Sequence, residues 1–271
     1  MFSSPLFIYL ATVLPPIFLG LIVWKSDKFP EPGKFLVVAF MLGVSIFLPL
    51  DFLIIFAEDY LAPFIGLNLE LIKDWYDGGD FPPGEFAFKN FFRAAYLEEG
   101  LKFAFLIFVC VRLDALNEPV DAIVYGAAIG LGYAAMENLF YVYDGWSLET
   151  VRNRYYPLVM HLGFGVVMGW LLSLTLFDEE NRSKRRFMLI LALAIPVIFH
   201  GVYNYYETAD TFPVLTIFLV IGIIYWVRKE QTKKITEYED KYRIDNVDVA
   251  YSYFITLALV VVIFISAKII N

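Results

Sequence analysis

Residues 93–111 read Arg93-Ala-Ala-Tyr-Leu-Glu98-Glu99-Gly-Leu-Lys102-Phe-Ala-Phe-Leu-Ile-Phe-Val-Cys110-Val111. This stretch is apolar and long enough to span a bilayer, yet it contains two adjacent carboxylates and a lysine. An ionisable group at membrane depth costs roughly 2.5 to 3.5 kcal/mol on insertion scales, so these three must be paired, solvated or functional. Glu98 and Lys102 can meet on one face of a helix. Glu99 points about 100° away, so it needs a partner from another helix.

The composition of the whole chain places it in the membrane. Hydrophobic residues make up 59% of the 271 residues, charged residues only 18%, and the mean hydropathy is +0.64. Soluble proteins have a more polar balance, so the sequence predicts an all-α, polytopic membrane helix bundle. The net charge of -8 argues against a nucleic-acid partner.

Apolar stretches of spanning length, about 20 residues each, recur along the whole chain. They predict about eight transmembrane helices within a single domain, 1–271. The predicted spans are 6–24, 35–57, 91–111, 119–140, 157–177, 187–206, 213–227 and 250–268.

Orientation follows from lysine and arginine, which accumulate in cytoplasmic loops. Alternate loops of this chain are richer in both, and assigning those loops to the cytoplasm puts both termini outside. The acidic and aromatic segment 58–90 is then an extramembrane loop on the outer side. The charged segment 229–248 is then a cytoplasmic connection.

Helices rise about 1.5 Å per residue, so each polar side chain can be assigned a depth. On this basis both histidines and most of the membrane acids fall in one layer near the outer surface. The members of this layer are Asp51, Glu98, Glu99, Glu137, Asn138, His161, His200 and Asn204. Nothing about independent helices demands this coincidence, so it indicates a single polar site.

Each member of the layer also has a structural interpretation when taken alone. The pair of Glu98 and Lys102 is typical of a structural ion pair, and a single membrane histidine usually packs and hydrogen-bonds. Glycines in the fourth and fifth spans favour close contacts between helices; they are Gly126, Gly130, Gly132, Gly165 and Gly169. Only the set of acids, histidines and an amide at one depth favours a functional site.

The chemistry of this set suits hydrolysis. Imidazoles and carboxylates are the usual ligands of a catalytic zinc, which keeps one position open for water. A further carboxylate in a desolvated site can act as general base and then as general acid. The amide of Asn204 can donate a hydrogen bond to a developing oxyanion.

Four motifs in order resemble the PrsW family of intramembrane proteases, which is related to the CAAX-processing and bacteriocin-processing membrane proteases. The motifs cover about 93–206 and read Glu98-Glu99-x-x-Lys102, then Asp121-Ala-Ile-Val-Tyr-Gly126-Ala-Ala-Ile-Gly130-Leu-Gly132-Tyr-Ala-Ala-Met-Glu137-Asn138, then His161, then His200-Gly-Val-Tyr-Asn204. The segment Tyr133-x-x-x-Glu137 departs from the Phe-x-x-x-His of the CAAX-processing branch. This departure leaves open whether Glu137 is a metal ligand or an acid that orients water.

The resemblance implies an intramembrane endopeptidase of a prokaryotic cell membrane, with its site toward the outer leaflet. The implied substrates are single-span membrane proteins, such as anti-sigma factors cut on the extracytoplasmic side. Glu98 is the predicted base, and Glu99 orients the water or holds Lys102 and Glu98 in register. The remaining predicted site residues are Asn138 at the second motif, Asn204 beside His200, and the zinc ligands Glu137, His161 and His200.

Three alternatives stay open at this point. A metal-free glutamate protease would use the histidines to stabilise water and the oxyanion. A non-enzymatic transporter would use the same acids and histidines to relay protons or to bind a cation. A catalytically inactive membrane scaffold would tolerate the loss of Glu98, Glu99 and His200.

Overall fold

In the computed structural model every regular element of the described residues is a helix. The described residues are 4–27, 29–69, 82–112, 116–145, 147–178, 181–206, 222 and 246–269. The α-helices are α1 Pro5–Ser26, α2 Gly33–Ser45, α3 Phe47–Phe56, α4 Ala62–Phe64, α5 Pro83–Ala87, α6 Leu97–Arg112, α7 Pro119–Gly145, α8 Leu148–Asn153, α9 Tyr155–Ser173, α10 Arg182–Tyr206 and α11 Asn246–Ile269. Three π-helices join them, at Ala57–Leu61, Phe88–Tyr96 and Leu174–Asp178.

Six helical segments of the described chain are long and apolar enough to cross a membrane. They are Pro5–Ser26, Gly33–Phe64, Pro119–Tyr143, Leu148–Phe177, Arg182–Tyr205 and Asn246–Ala267. These six confirm the predicted class of fold and match six of the predicted spans. The predicted span 91–111 is helical but carries too many charges to count among them, and 213–227 lies outside the described residues except for Gly222. The count of eight is therefore not confirmed.

Helices α7 and α9 lie at the centre of the bundle. Residues buried inside the protein make up 89% of the apolar window of α7 and 83% of the window that contains α9. The corresponding values are 28% for α1 and 17% for α11, whose large apolar side chains face outward. Outward apolar surface of this extent is the expected face toward lipid.

Small residues let α7 and α9 approach at backbone distance. A Cβ atom on Gly126 would strike the carbonyl oxygen of Gly165, and one on Gly130 would strike the carbonyl oxygen of His161. A Cβ on Gly169 would strike the carbonyl of Ala122, so the two helices run antiparallel. The predicted role of these glycines as close-contact residues is confirmed.

The helix that carries the acidic pair begins with irregular geometry. The π-helix Phe88–Tyr96 leads directly into α6, and Glu98 and Glu99 lie in the first turn of α6. π-helical segments inside helices often lie at functional sites.

Helix α10 packs closely on this π-helix beside His200. Gly201 of α10 lies against the ring of Phe91, and a Cβ at this position would strike the ring.

The C-terminal helix α11 packs behind the acidic pair. The hydroxyl of Tyr253 donates to the carbonyl oxygen of Gly100 at 2.6 Å, and the Tyr253 ring fills the space that a side chain on Gly100 would need. In the first turn of α11, Asp248 accepts from Arg186 at 2.8 Å. Helix α11 is thus fixed to both α6 and α10.

The predicted loop and connection stay predictions. Residues 70–81 of the segment 58–90 and residues 229–245 of the segment 229–248 lie outside the described residues. The described ends of 58–90 are helical, and an ion pair of 2.7 Å between Arg93 and Glu58 joins them.

Candidate active site

Four helices bring their polar residues together in the interior of the bundle. The acidic pair lies on α6, Glu137 on α7, His161 on α9 and His200 on α10. Glu98, Glu99, His161 and His200 are all buried, and one donor atom from each lies within 4.8 Å of the others. The structure therefore brings together the acidic pair and both histidines of the layer that the sequence predicted.

Glu99 lies at the centre of this group and contacts both Lys102 and His200. Its side chain is fully buried, and its Oε1 lies 2.7 Å from Nζ of Lys102 and 2.8 Å from Nδ1 of His200. The partner from another helix that the sequence demanded is His200. The pairing of Lys102 differs from the expectation, because its contact with Glu99 is shorter than its 3.9 Å approach to Glu98.

Lys102 also determines which ring nitrogen of His161 carries the hydrogen. Nζ of Lys102 lies 3.0 Å from Nδ1 of His161 and 3.8 Å from the centre of the Tyr133 ring. An ammonium group only donates hydrogen bonds, so Nδ1 of His161 must accept. The neutral ring then carries its hydrogen on Nε2, which lies 3.2 Å from Oε2 of Glu137.

Glu98 makes longer contacts with Lys102 and His200 than Glu99 does. Its Oε2 is 3.9 Å from Nε2 of His200 and finds no hydrogen-bond partner in the described part of the chain. Oε2 of Glu99 is likewise buried and unpaired among the described residues. Buried carboxylate oxygens without a partner are costly, and a metal ion or a water molecule is the usual remedy.

Glu137 and Asn138 make their contacts at the edge of the group. Glu137 forms an ion pair with Arg154, and Oδ1 of Asn138 accepts from Nε of Arg154 at 2.9 Å. The sequence did not single out Arg154. A signal was present, because Arg154 precedes His161 by seven residues, which is two helical turns and therefore the same face.

Two residues predicted in the layer are not joined to the group by a described side-chain hydrogen bond. Asn204 is half-buried on α10, one turn beyond His200. Asp51 is exposed on α3. The depth argument gave the height of each residue along its helix, but only the packing decides the direction in which the side chain points.

The donor set suits a metal ion. Two carboxylates and two imidazoles within 4.8 Å of one another match the ligand types of a catalytic zinc, and two of their oxygen atoms lack another partner among the described residues. Glu137, which the sequence assigned to the metal, lies outside this group of four. It contacts the group through the imidazole of His161.

Comparison with known proteins identifies the family of the chain. The profile of the PrsW family intramembrane metalloproteases matches residues 31–228. Three similar relatives are all named Protease PrsW, and no solved structure matches the chain. The relative from Clostridioides difficile is 28% identical over 78% of this chain and 84% of its own length. The relative from Bacillus subtilis is 27% identical over 83% of this chain and 93% of its own length. The relative from Oceanobacillus iheyensis is 26% identical over 72% of this chain and 80% of its own length.

The matched region contains every residue of the buried group. The relatives are proteases, so the transporter alternative is not favoured. A profile that covers most of the chain, together with relatives aligned over most of their length, settles the family. The chain belongs to the PrsW family of intramembrane metalloproteases and is a membrane-embedded protease.

Proposed function

We propose that the chain cleaves single-span membrane proteins near the outer leaflet, with Glu98 as general base and a zinc ion held by Glu99, His161 and His200. The observation that carries this proposal is the buried group of four donors within 4.8 Å, with an unpaired oxygen on each glutamate. The substrate class, the extracytoplasmic position of the cut and the outside location of both termini come from the sequence and the family resemblance.

The division of roles follows from how tightly each side chain is held. Catalytic zinc takes three protein ligands and keeps one position open. Glu99 is fully buried and bound to two neighbours, whereas Glu98 retains an oxygen without a described partner and lies 3.9 Å from Nζ of Lys102 and from Nε2 of His200. A base must be free to take and release a proton, so Glu98 suits that role and Glu99 suits a fixed one.

The residues then act in sequence on water and the peptide bond. When bound, zinc supplies a Lewis acid that polarises the scissile carbonyl and activates water. Glu98 takes a proton from the attacking water as its oxygen bonds to the carbonyl carbon. As the C–N bond breaks, Glu98 returns this proton to the leaving nitrogen, so the two products leave as a carboxylic acid and an amine, which ionise in water to a carboxylate and an ammonium group. Asn204, one helical turn beyond His200, remains the proposed donor to the oxyanion.

Lys102 gives the metal-free mechanism its own support. Its ammonium lies 2.7 Å from Glu99 and 3.0 Å from His161, so the group already contains a buried cation. In this mechanism Lys102 and the histidines stabilise the negative charge that develops on the carbonyl oxygen, while Glu98 keeps its role as base.

Paired metal analysis and cleavage assays on purified protein test the proposal. Glu98→Gln should keep zinc and lose turnover by about 10² to 10⁴-fold, because the amide cannot take a proton. His161→Ala and His200→Ala should lose both zinc and turnover. Glu137→Gln distinguishes the prediction from the sequence, in which Glu137 binds zinc, from the present proposal, in which Glu137 only orients His161. A residue that only orients His161 weakens zinc binding by about 10 to 100-fold, whereas a true ligand abolishes it.

Three outcomes would contradict parts of the proposal. Full activity of the wild type after complete removal of metal would exclude zinc and leave the metal-free mechanism. Full activity of Glu98→Gln would exclude the base under both mechanisms. Wild-type protein without activity on any single-span substrate, and Glu98→Gln without effect in the cell, would support the scaffold alternative.

A further inference from the structure

Arg154 lies at the junction of α8 and α9, and its side chain turns inward to the edge of the site. Its guanidinium pairs with Glu137 and is 14% exposed. Its Nε donates to Oδ1 of Asn138 at 2.9 Å, and its plane lies over the ring of Tyr141 at 4.0 Å. Three neighbours on α7 thus hold one arginine that no prediction from the sequence assigned to the site.

The carboxylate of Glu137 connects this arginine to the imidazole of His161. The same oxygen, Oε2, pairs with Arg154 and lies 3.2 Å from Nε2 of His161. On the other side of the ring, Nδ1 is 3.0 Å from Nζ of Lys102. The ring is therefore held at both nitrogens, and Arg154 stands at the outer end of this chain of contacts.

We propose that Arg154 is a positioning residue for the hydrolytic reaction. It fixes the carboxylate of Glu137 against Nε2 of His161, and the ring then presents the lone pair of Nδ1 to Lys102. A carboxylate that accepts from one ring nitrogen fixes the tautomer and the direction of the other nitrogen. This proposal rests on the role of His161 in the proposed function.

The geometry calls for arginine in particular. A guanidinium offers several N–H donors in a rigid plane, so it can bond Glu137 and Asn138 together while it stacks on Tyr141. A lysine carries the same charge on a single rotating ammonium group. It can neutralise Glu137 but cannot reproduce the three contacts.

The side chain of Arg154 is not needed to shape the junction itself. The backbone N–H of Arg154 donates to the carbonyl of Thr150 at 3.1 Å. Its carbonyl accepts from the backbone of Leu158 at 3.2 Å and from Nδ2 of Asn138 at 3.3 Å. Replacing the side chain leaves these bonds in place, so a variant tests the position of His161 and not the fold.

The first measurement is spectroscopic and independent of catalysis. The chain has only two histidines, so ¹⁵N-histidine NMR of chelator-treated protein in detergent resolves both rings, and His161→Gln identifies which is which. In the wild type, His161 should show hydrogen on Nε2 and not on Nδ1. Arg154→Gln should shift the ring nitrogens of His161 and leave those of His200 in place.

Arg152→Gln is the matched control. Arg152 lies two residues earlier, its side chain is 74% exposed, and it pairs at 3.8 Å with Glu149 of the same short helix. This variant removes the same charge two residues away but from a side chain that faces outward, so both histidines should keep their wild-type spectra and cleavage should keep its rate.

The second measurement is a double-mutant cycle on kcat/KM. Arg154→Gln should lower kcat/KM by about 10 to 100-fold, chiefly through kcat, as partners of this kind commonly do. Arg154→Lys should recover part of the loss. In a Glu137→Gln background, Arg154→Gln should cost little more, because residues in one chain of contacts are not additive.

Two results would overturn the proposal. One is a His161 spectrum in Arg154→Gln that superimposes on the wild type. The other is a loss from Arg154→Gln that is the same with and without Glu137. If Arg154→Gln does not fold, Asn138→Ala provides the test instead. It removes one contact of the Arg154 side chain, so it should shift the ring-nitrogen signals of His161 in the same direction by a smaller amount. If the spectra respond as expected while Glu98→Gln stays active, the proposed function fails and the positioning of His161 by Arg154 stands.

Discussion

Lys102 shows most clearly what the site requires at the scale of one residue. Its side chain is 1% exposed, and its ammonium contacts Glu99, His161 and the face of Tyr133. An unpaired charge in such surroundings is costly, so cation and anion stabilise each other only as a pair. Lys102 is therefore a structural member of the site whichever mechanism operates.

Lys102→Met should destabilise the metal-free protein by about 3 to 5 kcal/mol, because it leaves the Glu99 carboxylate buried with only the two histidines beside it. Unfolding of chelator-treated protein in mixed detergents measures the loss. Lys184→Met on the exposed start of α10 is the control and should have little effect.

The double variant Lys102→Met with Glu99→Gln extends the test. It removes both charges, so it should recover most of the stability while remaining inactive. An unchanged unfolding midpoint in Lys102→Met alone would show that the pair does not contribute to stability.

At the scale of elements, the close packing of α7 on α9 sets the position of His161. The carbonyl of His161 lies where a side chain on Gly130 would be, and the pair Gly126 and Gly165 makes the same contact one turn away. Backbone groups cannot move aside as a flexible side chain does. The distance between Glu137 and His161 therefore depends on glycine at these positions.

Gly126→Ala should separate the two helices and destabilise the protein by about 1 to 3 kcal/mol, as overpacking commonly does. Detergent unfolding measures the loss of stability, and cleavage rates on the same preparations measure the effect of the helix separation on the site.

Gly20→Ala on α1 is the matched control. A Cβ at this position would lie 3.7 Å from Cδ1 of Leu131, which is an ordinary contact. Alanine favours a helix over glycine by up to about 1 kcal/mol, so this variant should be neutral or more stable. Equal behaviour of the two variants would contradict the assigned role of Gly126.

At the scale of the whole molecule, the bundle has a dense centre and an apolar periphery. α7 and α9 are buried on nearly all sides, and both histidines lie in this part of the bundle, whereas α1, α3 and α11 expose large apolar side chains. A peptide bond can be cut inside a membrane only where polar groups and water are shielded from lipid. The central position of α7 and α9 provides this shielding.

The orientation of the bundle gives a prediction for the intact membrane. In a Cys110→Ala background, cysteines at Asn68 and Thr208 should react with an impermeant reagent from outside, because lysine and arginine accumulate in cytoplasmic loops and the proposed orientation rests on this rule. A cysteine at the exposed Ser183 should react only after permeabilisation. The reverse pattern would put both termini inside and move the site to the cytoplasmic half.

The sequence by itself determined the class of fold, and it singled out the two glutamates and two histidines that the structure brings together. Apolar stretches of spanning length follow from the thickness of the bilayer, so six of the predicted spans agree with the helical segments found. The cost of burying charge in lipid marked Glu98, Glu99 and the two histidines as partners. These are one-dimensional signals, since length, composition and depth along a helix can all be read from the order of residues.

Only the tertiary structure decided which of these residues face one another. Rotation of each helix about its axis is set by packing, and here by glycine contacts between α7 and α9. The packing turned Asp51 outward, placed Lys102 closer to Glu99 than to Glu98, and joined Glu137 to Arg154. A partner supplied by another helix is a three-dimensional property, because residues distant in sequence meet only after the helices have packed.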